Sequence, residues 1–177
     1  MGEITKGSLV MSEQEQNVVK FKEALGNYPT GVTVVTMMTD EGVPLGLTVN
    51  SFASVSIDPL LILWSIDKRV STYEQFIHSK KFAVHILAGN QSELCYLFAA
   101  RDVDRFGNCD WEKSQHQLPI LKGVAATLQC ETFQTVEAGD HMILIGKVIQ
   151  IDGENPAPLL YHKRHTGEIP KQFYKEK

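Results

Sequence analysis

Gly46-Leu47-Thr48-Val49-Asn50-Ser51-Phe52-Ala53-Ser54-Val55-Ser56, followed by Ile57-Asp58-Pro59-Leu60, is the stretch on which the reading of this chain turns. Its period is two, as in a strand. One face carries Thr48, Asn50, Phe52, Ser54 and Ser56; the other carries Val49, Ser51, Ala53, Val55 and Ile57. A strand covered by a second layer rarely holds so many short hydroxyl and amide groups, because each buried polar group needs a partner. Two readings fit. The row either hydrogen-bonds a flat ligand rich in heteroatoms, or it is an edge strand with solvated Ser and Thr.

Upstream, Val18, Phe21, Lys22 and Leu25 have helical spacing, and Gly26-Asn27 ends the helix. Tyr28-Pro29-Thr30-Gly31 reads as a turn into the β-branched strand Val32–Met38, and Thr39–Gly42 as a hairpin turn whose returning arm runs from Val43 through Ser56. Downstream come a buried strand at Leu60–Ile66 and a helix at Tyr73–Ile77, with Ser71 as its expected N-cap. A strand at Lys81–Leu87, a helix at Gln91–Ala100 and a polar loop at Arg101–Trp111 follow. Two long strands, Ala125–Thr135 and His141–Ile151, flank the turn Glu137–Asp140, and a strand and tail begin at Pro156. Six or more strands with short turns and two or three helices predict a mainly β fold, an antiparallel β-barrel with peripheral helices. Residues 1–17 read as a flexible lead-in, and 18–177 as one domain.

At 177 residues and 43% hydrophobic, the chain can bury roughly 70% of its unfolded surface. No apolar run reaches the ~18 residues of a membrane span, and no apolar signal core opens the chain, so a cytoplasmic protein is expected. The net charge of −4 gives no basic footprint for nucleic acid. Cys95, Cys109 and Cys130 are too widely spaced for a zinc framework and read as reduced thiols. His162 and His165 have ligand-like spacing without an acidic or cysteine partner nearby, so a surface loop is expected and no metal. The chain has neither G-x-G-x-x-G nor G-x-x-x-x-G-K, which leaves Rossmann and P-loop devices out.

From about Phe21 to Tyr161 the chain resembles the flavin reductase-like family, whose members include the small reductase components of two-component flavin-dependent monooxygenases. Tyr28-Pro29-Thr30-Gly31-Val32 is similar to the family's opening, and Gly46 through Leu60 to its most specific signature. Ser71-Thr72, Phe82-Ala83-Val84-His85-Ile86-Leu87, Arg105-Phe106 with Trp111, Gly139-Asp140-His141 and Pro158–Tyr161 follow in family order. Two departures stand out: His85 occupies a usual Asn position, and residues 162–166 lack the usual aromatic.

The resemblance implies a split antiparallel β-barrel that binds FMN or FAD and takes a hydride from NADH or NADPH. It implies a homodimer with flavin near the interface, and a transient oxygenase partner that receives reduced flavin. Trp64 and the Leu60–Leu63 run then lie either in that interface or in the core. Thr48, Asn50, Ser51, Ala53 and Ser54 are the expected contacts to the isoalloxazine edges, through side-chain or backbone donors and acceptors. Ser71 and Thr72, with Lys68 or Arg69, are expected at the flavin phosphate. His141 is the expected catalytic residue beside the nicotinamide, and Pro29, Thr30, Gly31 and Phe106 line the nicotinamide side. Hydride transfer to flavin needs no protein nucleophile, consistent with the absence of a triad or carboxylate pair. Two other readings stand on related barrels: an FMN-binding electron carrier of flavoredoxin type, and a pyridoxamine-phosphate-oxidase-like flavoprotein, against which the T-x-N-S-F-x-S-V-S run argues.

Overall fold

Ser12 and Glu15 cap each other's ends of the first turn of helix α1 (Glu13–Gly26): the Ser12 hydroxyl accepts the Glu15 amide at 3.3 Å, and the Glu15 carboxylate accepts the Ser12 amide at 2.8 Å. The helix therefore begins at Glu13 rather than Val18, and residues 13–17 are not a lead-in. The structure is a computed structural model that describes residues 11–153 and 156–174, so the first ten residues of the expected lead-in lie outside it.

A short strand β1 (Thr30–Gly31) precedes the hairpin of β2 (Thr33–Met38) and β3 (Pro44–Val49). The expected single arm from Val43 to Ser56 is two strands. It breaks at Asn50–Phe52 and resumes as β4 (Ala53–Ile57), which turns through the cis Asp58–Pro59 bond into β5 (Leu60–Asp67). Next are α2 (Tyr73–His78), β6 (Lys81–Ile86), α3 (Ser92–Ala99), a 3-10 turn at Phe106–Asn108, and a small hairpin of β7 (Trp111–Lys113) and β8 (Pro119–Leu121) that the sequence reading missed. The long strands β9 (Ala126–Ala138) and β10 (His141–Asp152), then β11 (Leu159–His162) and β12 (His165–Glu168), complete the chain's sheets. Thr72, not Ser71, holds the N-cap position of α2, and its side chain makes no capping bond.

Seven strands form one antiparallel sheet in the order β3-β2-β6-β9-β10-β5-β4. Its two ends meet where the signature breaks. Ser65 of β5 lies beyond the last residue that β4 pairs, Ala53 opposite Leu63, so its outward backbone groups lack a strand partner. The Ser51 hydroxyl takes both, accepting the Ser65 amide at 2.9 Å and donating to the Ser65 carbonyl at 3.1 Å. A side chain thus replaces a strand and closes the sheet into a split barrel.

The barrel interior is packed by Val35, Met37, Ile62, Trp64, Ile66, Phe76, Phe82, Val84 and Leu144. Trp64 is fully buried there, edge-on to Phe76 and Phe82 at 5.5 and 5.8 Å, which resolves its position in favour of the core. A second cluster, with Val32, Val34, Leu87, Phe98, Leu121 and Leu159, lies under α3 and the small hairpins. Gly46 permits that packing, since a Cβ there would stand 2.5 Å from the Phe98 ring. His85 points into this second layer, fully buried between Thr36 (2.9 Å) and Thr127 (3.1 Å).

The outer face of β4, β5, β10 and β9 carries an apolar patch as well, bordered by Ser65, Gln134 and the Lys147–Glu131 pair. Ile145 stands opposite Leu63, which stands opposite Ala53; Ile143 lies between Val136 and Ser65. At the β4–β5 turn Val55, Ile57 and Leu60 are exposed, and α1 buries none of its residues although it carries Val18, Phe21 and Leu25.

Candidate active site

Strand register brings several of the predicted residues to one end of the barrel. Thr33 pairs with Val49, so β3 delivers Asn50 and Ser51 to the end at which β1 enters with Thr30 and Gly31. Ser51 is bonded to Ser65, and two residues on, Asp67 pairs with His141. The Lys68 amide then donates to the Asp140 carbonyl at 3.0 Å, which locks the β9–β10 turn against the segment leading to Ser71 and Thr72. Asn50, Ala53, Ser54 and Ser71 are exposed, and Thr72 and His141 half-buried. The edge thus presents small side chains and free donors and acceptors, a set that suits the heteroatom edge and phosphate of a flavin.

His141 starts β10 after the two-residue turn Gly139-Asp140, where Gly139 takes φ 63°. Its Nδ1 lies 2.7 Å from the Asp140 carboxylate. The carboxylate can only accept, so Nδ1 carries the proton and Nε2 remains for another partner. The same contact holds the Asp140 carboxyl below its ordinary range. The carboxylate partner orients the ring.

Neighbouring charges are paired. The Arg69 guanidinium holds Asp67 well below the usual carboxylate range, and Lys68 bonds Glu137 of the β9–β10 hairpin, raising the ammonium and lowering the carboxyl. Lys68 and Arg69 therefore reach any phosphate already partnered. With α2 only six residues long, the helix dipole is weak here, and what the segment offers an anion is the Ser71 and Thr72 hydroxyls, neither of which caps the helix.

Two predicted residues are engaged elsewhere. The Thr48 hydroxyl donates to the Cys95 carbonyl at 2.7 Å and ties β3 to α3. Phe106 packs edge-on against Phe98 and Trp111, both at 5.3 Å, and its carbonyl accepts the Trp111 indole N–H. Both serve the second cluster. Ser51 acts through its bond to Ser65, a closure role that sequence alone did not reveal. His85, at the usual Asn position, sits in the core among threonines. Asp140 is the residue that sequence reasoning missed; its place directly before His141 was the available signal.

Comparison with known proteins bears on the family and the fold. A family model described as "Flavin reductase like domain" matches residues 25–170. The reductase component of a flavin-dependent trigonelline monooxygenase from Acinetobacter baylyi is 46% identical over 86% of this chain, which spans 50% of that protein's length. An FMN reductase (NADH) from Agrobacterium fabrum is 40% identical over 89% of both chains. Among solved structures, nitrilotriacetate monooxygenase component B from Mycobacterium thermoresistibile superposes with a TM-score of 0.86 at 29% identity, covering 93% of each chain. The NADH:FAD oxidoreductase of Streptomyces globisporus, solved with NAD and FAD fragments, gives 0.82 at 30% identity, covering 92% of this chain and 98% of its own. The match to the family model over residues 25–170, together with a relative 40% identical over 89% of both chains, shows that the chain belongs to the flavin reductase-like family.

Proposed function

We propose that this chain is an NAD(P)H:flavin oxidoreductase, which passes a hydride from a reduced nicotinamide to FMN or FAD. The observation that carries the reading is the convergence of Asn50, Ala53, Ser54, Ser71, Thr72 and His141 at the barrel seam. The bound flavin supplies the hydride-accepting chemistry. The chain's share is positioning. Asn50 and the backbone of Ala53 and Ser54 hold the ring edges, the hydroxyls of Ser71 and Thr72 hold the phosphate, and small side chains let the ring lie close. His141, its Nδ1–H held by Asp140, presents Nε2 to the nicotinamide carboxamide. Pro29–Gly31 form the facing wall, with Gly31 exposed and free of a Cβ. Thr48 and Phe106 are left out of this set because their contacts are internal.

The outer apolar rows and the unburied α1 support a homodimer with the flavin near its interface. Full burial of a Leu or Ile side chain is worth about 1.5–3 kcal/mol, and covering the half-buried Leu63, Ile143 and Ile145 and the exposed Val136 gains a part of that at each, which favours a second copy. Kinship with reductase components of monooxygenases supports delivery of reduced flavin to an oxygenase. The three free cysteines fit work in the cytoplasm, and among the described residues no helix is long and apolar enough to cross a membrane. The test is NADH consumption with and without added FMN or FAD. Flavin-dependent consumption is expected. A rate that no flavin changes contradicts the proposal.

A further inference from the structure

The β11–β12 hairpin closes on Lys163 and Arg164, with φ of 48° and 67°. A two-residue turn of this kind favours Asn-Gly, because a side chain in the left-handed region costs roughly 1–2 kcal/mol. Two long cations stand there instead, flanked by the cross-strand pair His162 and His165, and all four are exposed. Among the described residues none of the four forms an ion pair, on a chain of net charge −4. The hairpin is well anchored. Leu159 is fully buried and its amide donates to the Leu87 carbonyl at 2.8 Å; Thr166 donates to the Ser92 hydroxyl at 3.1 Å, with the Tyr96 hydroxyl 3.3 Å away.

Its other neighbour is β1. Tyr161 stands opposite Thr30 and Leu160 opposite Gly31, so the basic turn begins one residue past the Pro29–Gly31 wall. The Thr30 hydroxyl, at that junction, is buried without a hydrogen-bond partner. We propose that the His162–His165 turn recognises the anionic half of the reduced dinucleotide, with Lys163 and Arg164 holding its pyrophosphate or 2′-phosphate while the nicotinamide lies against Pro29–Gly31. The inference rests on the oxidoreductase reading. An acidic protein repels a polyanionic substrate, and cations fixed on a rigid hairpin paired with the Thr30–Gly31 strand reverse that locally. Arg164 adds the planar, bidentate fit to phosphate oxygens.

The test replaces Lys163→Asn together with Arg164→Gly, the pair the turn geometry prefers, so the hairpin is retained and the thermal midpoint should not fall. KM for NADH and NADPH at saturating FMN and calorimetric affinity for NAD+ and NADP+ are compared with KM for reduced nicotinamide mononucleotide, which has no pyrophosphate. Loss of the ionic contacts should raise the dinucleotide KM and dissociation constants by about tenfold. kcat, FMN affinity and the mononucleotide KM should stay within twofold. Equal losses for the two dinucleotides assign the pyrophosphate; a larger loss for NADPH and NADP+ assigns the 2′-phosphate. Unchanged dinucleotide affinity in the folded variant overturns the inference, as does a loss of FMN affinity in its place. If the parent binds NADP+ and the variant does not, while neither oxidises NADPH or NADH, the inference stands and the oxidoreductase reading falls.

Discussion

Asp140 accepts the Nδ1 proton of His141 and so decides which edge of the imidazole can meet a substrate. Removing the ring should therefore impair positioning, not flavin binding. His141→Ala is expected to slow single-turnover flavin reduction by about tenfold to a hundredfold, with flavin affinity within a few-fold of the parent. A variant that melts earlier but reduces flavin at the parent rate would assign the histidine to the turn alone. His85 predicts a pH effect of a different kind. Thr36 donates to the Pro119 carbonyl at 2.6 Å, so His85 Nε2 must donate to Thr36 and Nδ1 accepts from Thr127. Burial pushes this imidazole down to about 3 from 6.5, and it folds neutral. The unfolded chain takes up the proton below 6.5 while the folded chain resists until about 3. The stabilisation is thus intact above 6.5 and lost progressively as pH falls through that window. Between pH 7 and 5, before the lowered carboxyls matter, the loss should be about 2 kcal/mol. Urea midpoints of the parent and His85→Asn at both pH values check this. Equal pH sensitivity in the two proteins would contradict the buried-imidazole account.

At the scale of elements, the β-branched run Val32–Met38 and the long hairpin around Gly139-Asp140 were legible because period and turn chemistry agreed with the final sheet. The break at Asn50–Phe52 was not. The alternation runs straight through it, and only the tertiary bond from Ser51 to Ser65 shows that one apparent strand serves two opposite edges. The tie from the Thr48 hydroxyl to α3 was illegible for the same reason, since nothing local reveals the Cys95 carbonyl beside it. The S-x-x-E box at Ser12–Glu15 was a readable helix start, outweighed by the polar composition around it. The β7–β8 hairpin is too short to show a period. One consequence concerns the segment before α2. Ser71→Ala with Thr72→Ala should weaken FMN binding far more than riboflavin binding, because only FMN carries the phosphate. Neither hydroxyl caps the helix, so stability should hold. Equal losses for the two ligands, measured by equilibrium dialysis, would remove the pair from the flavin site.

Over the whole molecule, the sheet carries an apolar patch of Leu63, Ile143, Ile145 and Val136 on the face opposite its core, a pattern that a monomer surrounded by water does not favour. Sedimentation should give twice the chain mass, and Leu63→Glu, which places a charge among Ile145 and Ala53, should shift the population to monomer and lower flavin affinity with it. A monomeric parent with full flavin affinity would contradict the dimer. The proposed reductase differs from a passive electron carrier on the same barrel in one respect, the transfer of hydride from a reduced nicotinamide to the bound flavin. The most direct measurement is stopped-flow absorbance under argon, mixing protein and FMN or FAD with NADH or NADPH. The account predicts that flavin absorbance bleaches in a single turnover, with loss of one reduced nicotinamide per flavin, much faster than in the His141→Ala protein. Flavin that binds tightly yet stays oxidised with both dinucleotides would contradict it.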